Sequence, residues 1–510
     1  MRNRRDNGLS GFTIVELLVV VVIIGILASI SYISYMGISQ KATVAVLKSD
    51  LRNATTTLEL DKTVTGNYPA NQNDANGGKG LPKSPGTSYQ YTVVGNDYNL
   101  SATSGLLAFY TSSTLGGTIA DGVWSGHTAP GDPVWKQIGL FNQHACAIIS
   151  SGQTYCWGRN TSGQLGNNSQ IDSSLPVAVS MIGALTGKTM KSIKPGISHT
   201  CGISSDDLAY CWGYGQYVVN SPGGSLVPVS VDVSGNLAGK TIKSISSSDY
   251  YICVVASDDR AYCWGDGPDG QLGNIYTNTN SGALPVDTSG VMSGKTIVSI
   301  TAGQSHTCAL DSNGLAYCWG NNGYGQLGDG TTTNRPLPVA VSMTGGLAGK
   351  TIKAIAASSH KTCAIASDNL EYCWGDNTFG MLGDNTGTNR SVPTAVYTGG
   401  ALSGKTIKMI APGTQHSCAI ASDDKAYCWG FGGMGALGDA IGSTTSEAVA
   451  VSTSGVLSGK TIKSIVSGTS SSCVVASDNQ VYCWGWNTYG QLGDGTTNNS
   501  NAPVRVLSLP

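Results

Sequence analysis

Glutamate is almost missing from this 510-residue chain, occurring only at 16, 59, 371 and 447. A strongly helical protein normally draws more on so good a helix former. Phenylalanine is as scarce, at five residues, and charged side chains make up only 12%. The net charge of −2 leaves no electrostatic footprint for nucleic acid or for anionic lipid headgroups. No C-x-x-C occurs, so the short chelate loop of zinc sites is absent, and no EF-hand pattern appears. No cysteine precedes residue 146, and no proline interrupts 12–62. Glycine is abundant, at 69 residues, and so is tyrosine, at 22. Many short strands joined by Gly-rich turns produce this profile, and it predicts a mainly β chain.

The N-terminus is the exception. Arg2, Arg4 and Arg5 precede an apolar run from Phe12 to Met36 that carries one charge, Glu16. About 20 apolar residues span a bilayer as a helix, and the arginines orient the rest of the chain outward. An ordinary secretory signal places its cleavage site after the apolar core. Here the polar-to-apolar boundary falls before it, at Gly11–Phe12, and a carboxylate in lipid is costly enough to be functional. The G-F-T-I-V-E of 11–16 resembles the class III leader of type IV prepilins and type II secretion pseudopilins. That resemblance implies cleavage after Gly11 by a prepilin peptidase and a new, methylated terminus at Phe12. It also implies that Glu16 neutralises the terminal ammonium of a neighbouring pilin subunit. The protein would rest in the cytoplasmic membrane before assembly and then in an extracellular pilus or at the cell surface. The helix proline of many major pilins is replaced by Ile33.

Beyond the membrane segment, Val44, Leu47, Leu51, Ala54 and Leu58 step by three and four along one helical face. The expected organisation is a leader at 1–11 and a helix at 12–62, transmembrane over about 13–36. A small pilin-like β head at 63–110 and a Gly/Ser/Thr/Pro-rich linker at 111–134 follow. In the head, 89–95 and 96–103 alternate as two strands around Gly95-Asn96.

From 135 onward the chain repeats. Y-C-W-G occurs seven times, with its cysteine at 156, 211, 263, 318, 373, 428 and 483, and a second cysteine lies ten residues before each. Each unit reads as four short strands: P-V-x-V, T-I-K-x-I, H-x-C-A-I-A and A-Y-C-W-G. Seven such units describe a seven-bladed β-propeller over 135–510. Folding 418–428 about residue 423 sets Cys418 opposite Cys428, within disulfide reach on antiparallel strands. The same reasoning predicts Cys146–Cys156, Cys201–Cys211, Cys253–Cys263, Cys308–Cys318, Cys363–Cys373 and Cys473–Cys483, hence an oxidising compartment. The first unit lacks a P-V-x-V strand, and A-P-V-R-V-L at 502–507 is left over, so the C-terminal strand is expected to complete the first blade. The repeats resemble the regulator-of-chromosome-condensation propeller family, which is marked by H-x-x-A-x-L, W-G and G-Q-L-G motifs. Its members range from nucleotide-exchange factors to secreted proteins, so the resemblance implies the fold and not a function.

Several motifs have plainer readings. G-G-A-L-S-G-K-T at 399–406 matches a P-loop in form, but G-K-T recurs in six units and precedes a strand, not a helix. His144, His199, His306, His360 and His416 are spread around the ring and cannot meet on one metal, so they read as hydrogen-bonding residues at strand starts. No acid pair or nucleophile–base set stands out; no catalytic residue, cofactor or metal is expected. Loops that break the repeat are the better candidates for binding. They are 213–224 with Tyr214 and Tyr217, 265–270, and the loop after Trp429. The predicted function is a non-catalytic minor or tip subunit of a pilus-like filament, displaying the propeller to an extracellular ligand or protein. The alternatives are a pseudopilin of a secretion or DNA-uptake apparatus, and a secreted propeller enzyme.

Overall fold

The computed structural model describes residues 42–94, 97–104, 107–113, 119–121, 133–215, 223–248, 250–275 and 280–507. Gly11, Phe12, Glu16, Tyr217 and the apolar run lie outside them. No helix among the described residues is long and apolar enough to cross a membrane. The chain divides into two compact units, Met1–Gly131 and Asp132–Pro510.

In the first unit, residues 42–65 are helical, and the helix stops at Gly66, whose positive φ of 85° suits a residue without Cβ. The expected stripe is the buried one: Leu47, Leu51, Ala54 and Leu58 are fully covered by Tyr98, Leu100, Ala102 and Phe109. Those partners sit on a four-stranded antiparallel meander: β1 (Ser88–Val94), β2 (Asp97–Ser104), β3 (Leu107–Ser112) and β4 (Ala120–Asp121). Val94 pairs with Asp97, which places the turn at 95–96 as expected. The sheet runs beyond the expected boundary at 110: β3 and β4 take up part of the segment read as linker. Polar composition concealed them, because Thr111 and Ser112 are buried in the sheet. Asp50, on the helix, is buried and accepts hydrogen bonds from Ser84 N (2.9 Å), Ser84 Oγ (2.8 Å) and Thr87 Oγ1 (2.6 Å). It fastens the segment before β1 to the helix.

The second unit contains seven four-stranded antiparallel sheets among the described residues. The sixth is representative: Ile407–Pro412, His416–Ala421, Ala426–Gly430 and Thr445–Ala450. All seven predicted disulfides are present, each joining residues directly opposite in register, with Cα–Cα distances from 4.0 to 4.2 Å.

Strand membership corrects one expectation. The C-terminal strand Ser500–Arg505 pairs with Val481–Gly485 in the last sheet and does not complete the first. The first sheet has its own fourth strand, Ser173–Ala178. The P-V-x-V strand therefore closes each unit and does not open it. Pairing across the short G-Q-L-G loop costs less chain entropy than bringing the two ends of the ring together. Closure is by packing: Trp157 Nε1 donates to Gln491 O at 2.9 Å, and Trp135 N donates to Asn479 O at 3.0 Å. The same bonds recur between interior neighbours, as Trp319 Nε1 to Gln271 O and Ile297 N to Asp259 O. The seventh sheet thus meets the first as any sheet meets its successor.

Candidate functional site on the loop face of the ring

Each Y-C-W-G strand ends in a glycine with φ near 100°, where a Cβ would strike the backbone of the neighbouring strand; at Gly158 it would lie 2.4 Å from Gln143 O. The next residue turns outward and donates its backbone N–H to the loop between the first and second strands of its own sheet. The seven bonds are Arg159 to Gln143, Tyr214 to Ser198, Asp266 to Tyr250, Asn321 to Ser305, Asp376 to His360, Phe431 to Gln415 and Trp486 to Ser470. These residues define one end of the ring.

Here the seven-fold repeat is broken. Phe379 of the fifth sheet packs against Phe431 of the sixth, with ring centroids 5.2 Å apart and the rings tilted at 54°. Tyr324 of the fourth lies against His360 of the fifth at 4.9 Å. Trp486 and Tyr489 of the seventh meet edge-on, and the Arg159 guanidinium of the first sheet lies over Tyr489 at 5.2 Å. Tyr214, Tyr250 and Met434 are more than half exposed. An aromatic arc thus runs from the fourth sheet round to the second, and Asp266, Asp269 and Asp376 belong to the same set of loops in sheets three to five. Of the two tyrosines singled out in sequence, Tyr214 is on this face. Phe379, Phe431, Trp486, Tyr489 and Arg159 were missed. Part of their signal was available: the residue after W-G is Arg159, Tyr214, Asp266, Asn321, Asp376, Phe431 and Trp486 in turn, inside an otherwise repeated unit.

A second missed signal explains the irregular loops. Where the unit reads W-G-x-N, the asparagine ties down the whole G-Q-L-G loop. Asn322 Nδ2 donates to Asp329 Oδ1, Thr331 O and Thr333 O, while its Oδ1 accepts from Leu327 N. Asn160, Asn377 and Asn487 do the same. Sheets two, three and six have Gly215, Gly267 and Gly432 in that place, and these are the three with deviant loops.

The tryptophans of Y-C-W-G are buried at sheet interfaces and offer no stacking platform. Four of the five histidines form a belt of links to the next sheet; His360 instead pairs through Nδ1 with Ser359 Oγ at 3.2 Å. His144 Nε2 pairs with Thr200 Oγ1 (2.8 Å), His199 with Ser247 Oγ (2.6 Å), His306 with Thr362 Oγ1 (2.9 Å) and His416 with Ser472 Oγ (2.7 Å). Lys361 holds this place in the fifth sheet and donates to His416 O at 2.9 Å; burial lowers its pKa to about 7. Cys363, Glu371 and Cys373 cluster like metal ligands, but the two sulfurs are bonded to each other and burial pushes the Glu371 carboxyl well above its usual pKa.

Burial lowers the pKa of His144, His306 and His416 to about 3 and of His199 to about 4. The unfolded chain binds these protons near pH 6.5 and the folded chain does not, so stability is full above about pH 6.5 and falls towards pH 3–4. Each histidine contributes a slope of about 1.4 kcal/mol per pH unit within that window. Urea unfolding of His416→Asn between pH 6 and 4 is expected to show about one proton less of pH dependence than the parent. An unchanged slope would mean that His416 is protonated in the folded ring.

Residues 125–453 match the family model of the RCC1-like domain, and 462–491 and 478–510 match regulator of chromosome condensation (RCC1) repeats. Residues 8–32 match the prokaryotic N-terminal methylation motif. The chain is 29% identical over 370 residues to the ultraviolet-B receptor UVR8 of Arabidopsis thaliana, covering 72% of this chain and 80% of that protein. It is 28% identical to the human E3 ubiquitin-protein ligase HERC2 over 70% of this chain but only 7% of that protein. Among solved structures, human WBSCR16 superposes with a TM-score of 0.62 at 18% identity, covering 70% of this chain and 94% of that one. Yeast RCC1 (Prp20), solved bound to Kap60, gives 0.58 at 20% identity, covering 69% and 83%. At such identities the superpositions establish the fold alone. With a model match over more than half its length and these repeats, the chain belongs to the RCC1-like domain family, carried behind a pilin-type N-terminal methylation motif.

Proposed function

We propose that this chain is a non-catalytic, minor or tip subunit of a type IV pilus-like filament, presenting its propeller to an extracellular partner through the aromatic arc. The observation that carries the binding role is the arc itself. On a ring built by repetition, the loops that follow W-G carry the variable positions, and the half-buried Arg159, Phe431, Trp486 and Tyr489 lie in those loops on one face. Aromatic and arginine side chains supply most of the energy at protein interfaces. The methylation motif supports the filament role. Partners would include the prepilin peptidase, which cuts after Gly11, and neighbouring pilins, whose terminal ammonium Glu16 would meet. A head of this size suits a position where it need not stack on every neighbour.

Mass spectrometry of protein sheared from cells, without reduction, tests the first half. A terminus at Phe12 with all seven Cys-x9-Cys bridges is expected; an intact Met1 terminus would remove the filament reading. For the second half, filaments carrying Trp486→Ala with Tyr489→Ala are expected to lose at least tenfold in retention on mucin-coated glass, at an unchanged unfolding temperature. Retention equal to the parent would refute the arc as the binding surface.

A further inference from the structure

We propose that the centre of the ring is an oxyanion site that takes a carboxylate, with Lys194 as its charge and the hydroxyls of Ser246 and Thr301 as neutral donors. The first strands of all seven sheets surround a cavity of about 240 Å³. Its described lining is mostly aliphatic or hydroxylic, with Phe141 the one aromatic, and Lys194 is the one charged side chain in it.

Register makes the exception sharp. The residue paired with the first cysteine of each sheet is Gly139, Lys194, Ser246, Thr301, Ala356, Ala411 and Val466 in turn. All seven line the cavity. A repeat that otherwise uses small or apolar side chains carries a lysine once, with two hydroxyls on the next two sheets. Lys194 is exposed to the channel, its surroundings lower its pKa by desolvation, and among the described residues no carboxylate contributes to that shift.

The hydroxyls are oriented as donors. Ser246 Oγ accepts from Ala302 N at 2.9 Å, and Thr301 Oγ1 accepts from Ala357 N at 2.9 Å. With an oxygen lone pair engaged, each hydroxyl proton is free to point into the channel. The wall therefore carries two hydroxyl donors and one positive charge, which an anion can engage through charge-assisted bonds. One cation flanked by neutral donors matches a monoanion, hence a carboxylate in preference to a phosphate dianion. The first strands lead into the loops of the aromatic face. The site does not depend on the filament reading. Asp249 lies outside the described residues.

The test is calorimetric titration of the detergent-solubilised full chain with galacturonate, acetate and inorganic phosphate. Saturable binding of one galacturonate per chain is expected, with acetate weaker and phosphate weakest. Lys194→Met should lose at least tenfold in affinity, and Ser246→Ala or Thr301→Val about threefold each, with unfolding midpoints unchanged. Absence of saturation with every probe, or parental affinity in Lys194→Met, would overturn the site. Phosphate binding more tightly than either acid would overturn the carboxylate assignment. A tenfold gain in affinity in Asp249→Asn would show that this side chain is the partner of Lys194, and would overturn the proposal as well.

Discussion

Removing the seven disulfides is expected to unfold the propeller in the absence of denaturant. Each bridge closes a loop of ten residues' separation, which the chain-entropy model values at about 2–3 kcal/mol. Seven of them sum to roughly 15–20 kcal/mol, at or above the about 5–15 kcal/mol that separates most folded domains from their unfolded chains. The remaining packing is regular but thin: four short strands per sheet and one tryptophan at each interface. All fourteen cysteines are fully buried, so a reductant must wait for a sheet to open. Incubation with dithiothreitol in native buffer is therefore expected to leave the bridges intact for hours. The same reductant in moderate urea should reduce and unfold the chain together. Circular dichroism with parallel thiol counting reads both events. A reduced chain that keeps its sheet signal without denaturant would show that packing alone sustains the ring, and the bridges would then be incidental to stability.

The second large effect is expected at the seam where the ring closes. Gly493 has φ of 70°, and a Cβ on it would lie 2.7 Å from Trp157 Nε1 and 3.0 Å from Val506 Cγ1. Gly459 has nearly the same backbone, φ of 69°, but a Cβ there would meet nothing within 4 Å. Both alanine variants share the left-handed backbone cost, about 1–2 kcal/mol. Gly493→Ala also overpacks the interface between the last and first sheets, adding about 1–3 kcal/mol. It should lower the urea midpoint well beyond Gly459→Ala and speed hydrogen exchange at the Trp135 amide, which bonds Asn479 O across the seam. Equal midpoints for the two variants would mean that the glycine is required by its backbone alone and that Trp157 has room to give.

Much of this protein was legible in one dimension because repetition turns spacing into geometry. A fixed interval of ten residues between cysteines, centred on a turn, leaves one antiparallel register, and all seven pairs occupy it. The helical stripe from Leu47 to Leu58 was readable for a similar reason, since a 3.6-residue period has one buried face. Where to cut the repeat was not legible. A circular arrangement of four strands has no first member in sequence, and P-V-x-V was assigned to the wrong end of its unit. Only the pairing of Cys483 with Val504 decides it. Strands β3 and β4 were missed because buried Thr111 and Ser112 look like linker composition; burial is a property of the neighbours they find.

The sequence by itself determined the class of N-terminus, the repeat, the oxidising chemistry and the cysteine pairing, all of which depend on local spacing. The tertiary structure alone decided what lies side by side around the ring. Phe379 and Phe431 are 52 residues apart in sequence and touch; Arg159 and Tyr489 are 330 apart and touch. Lys194, Ser246 and Thr301 line one cavity from three sheets. Closure brings residues of equal rank in successive units to one face or one axis. A surface made of single departures from a repeat therefore exists only once the ring is shut.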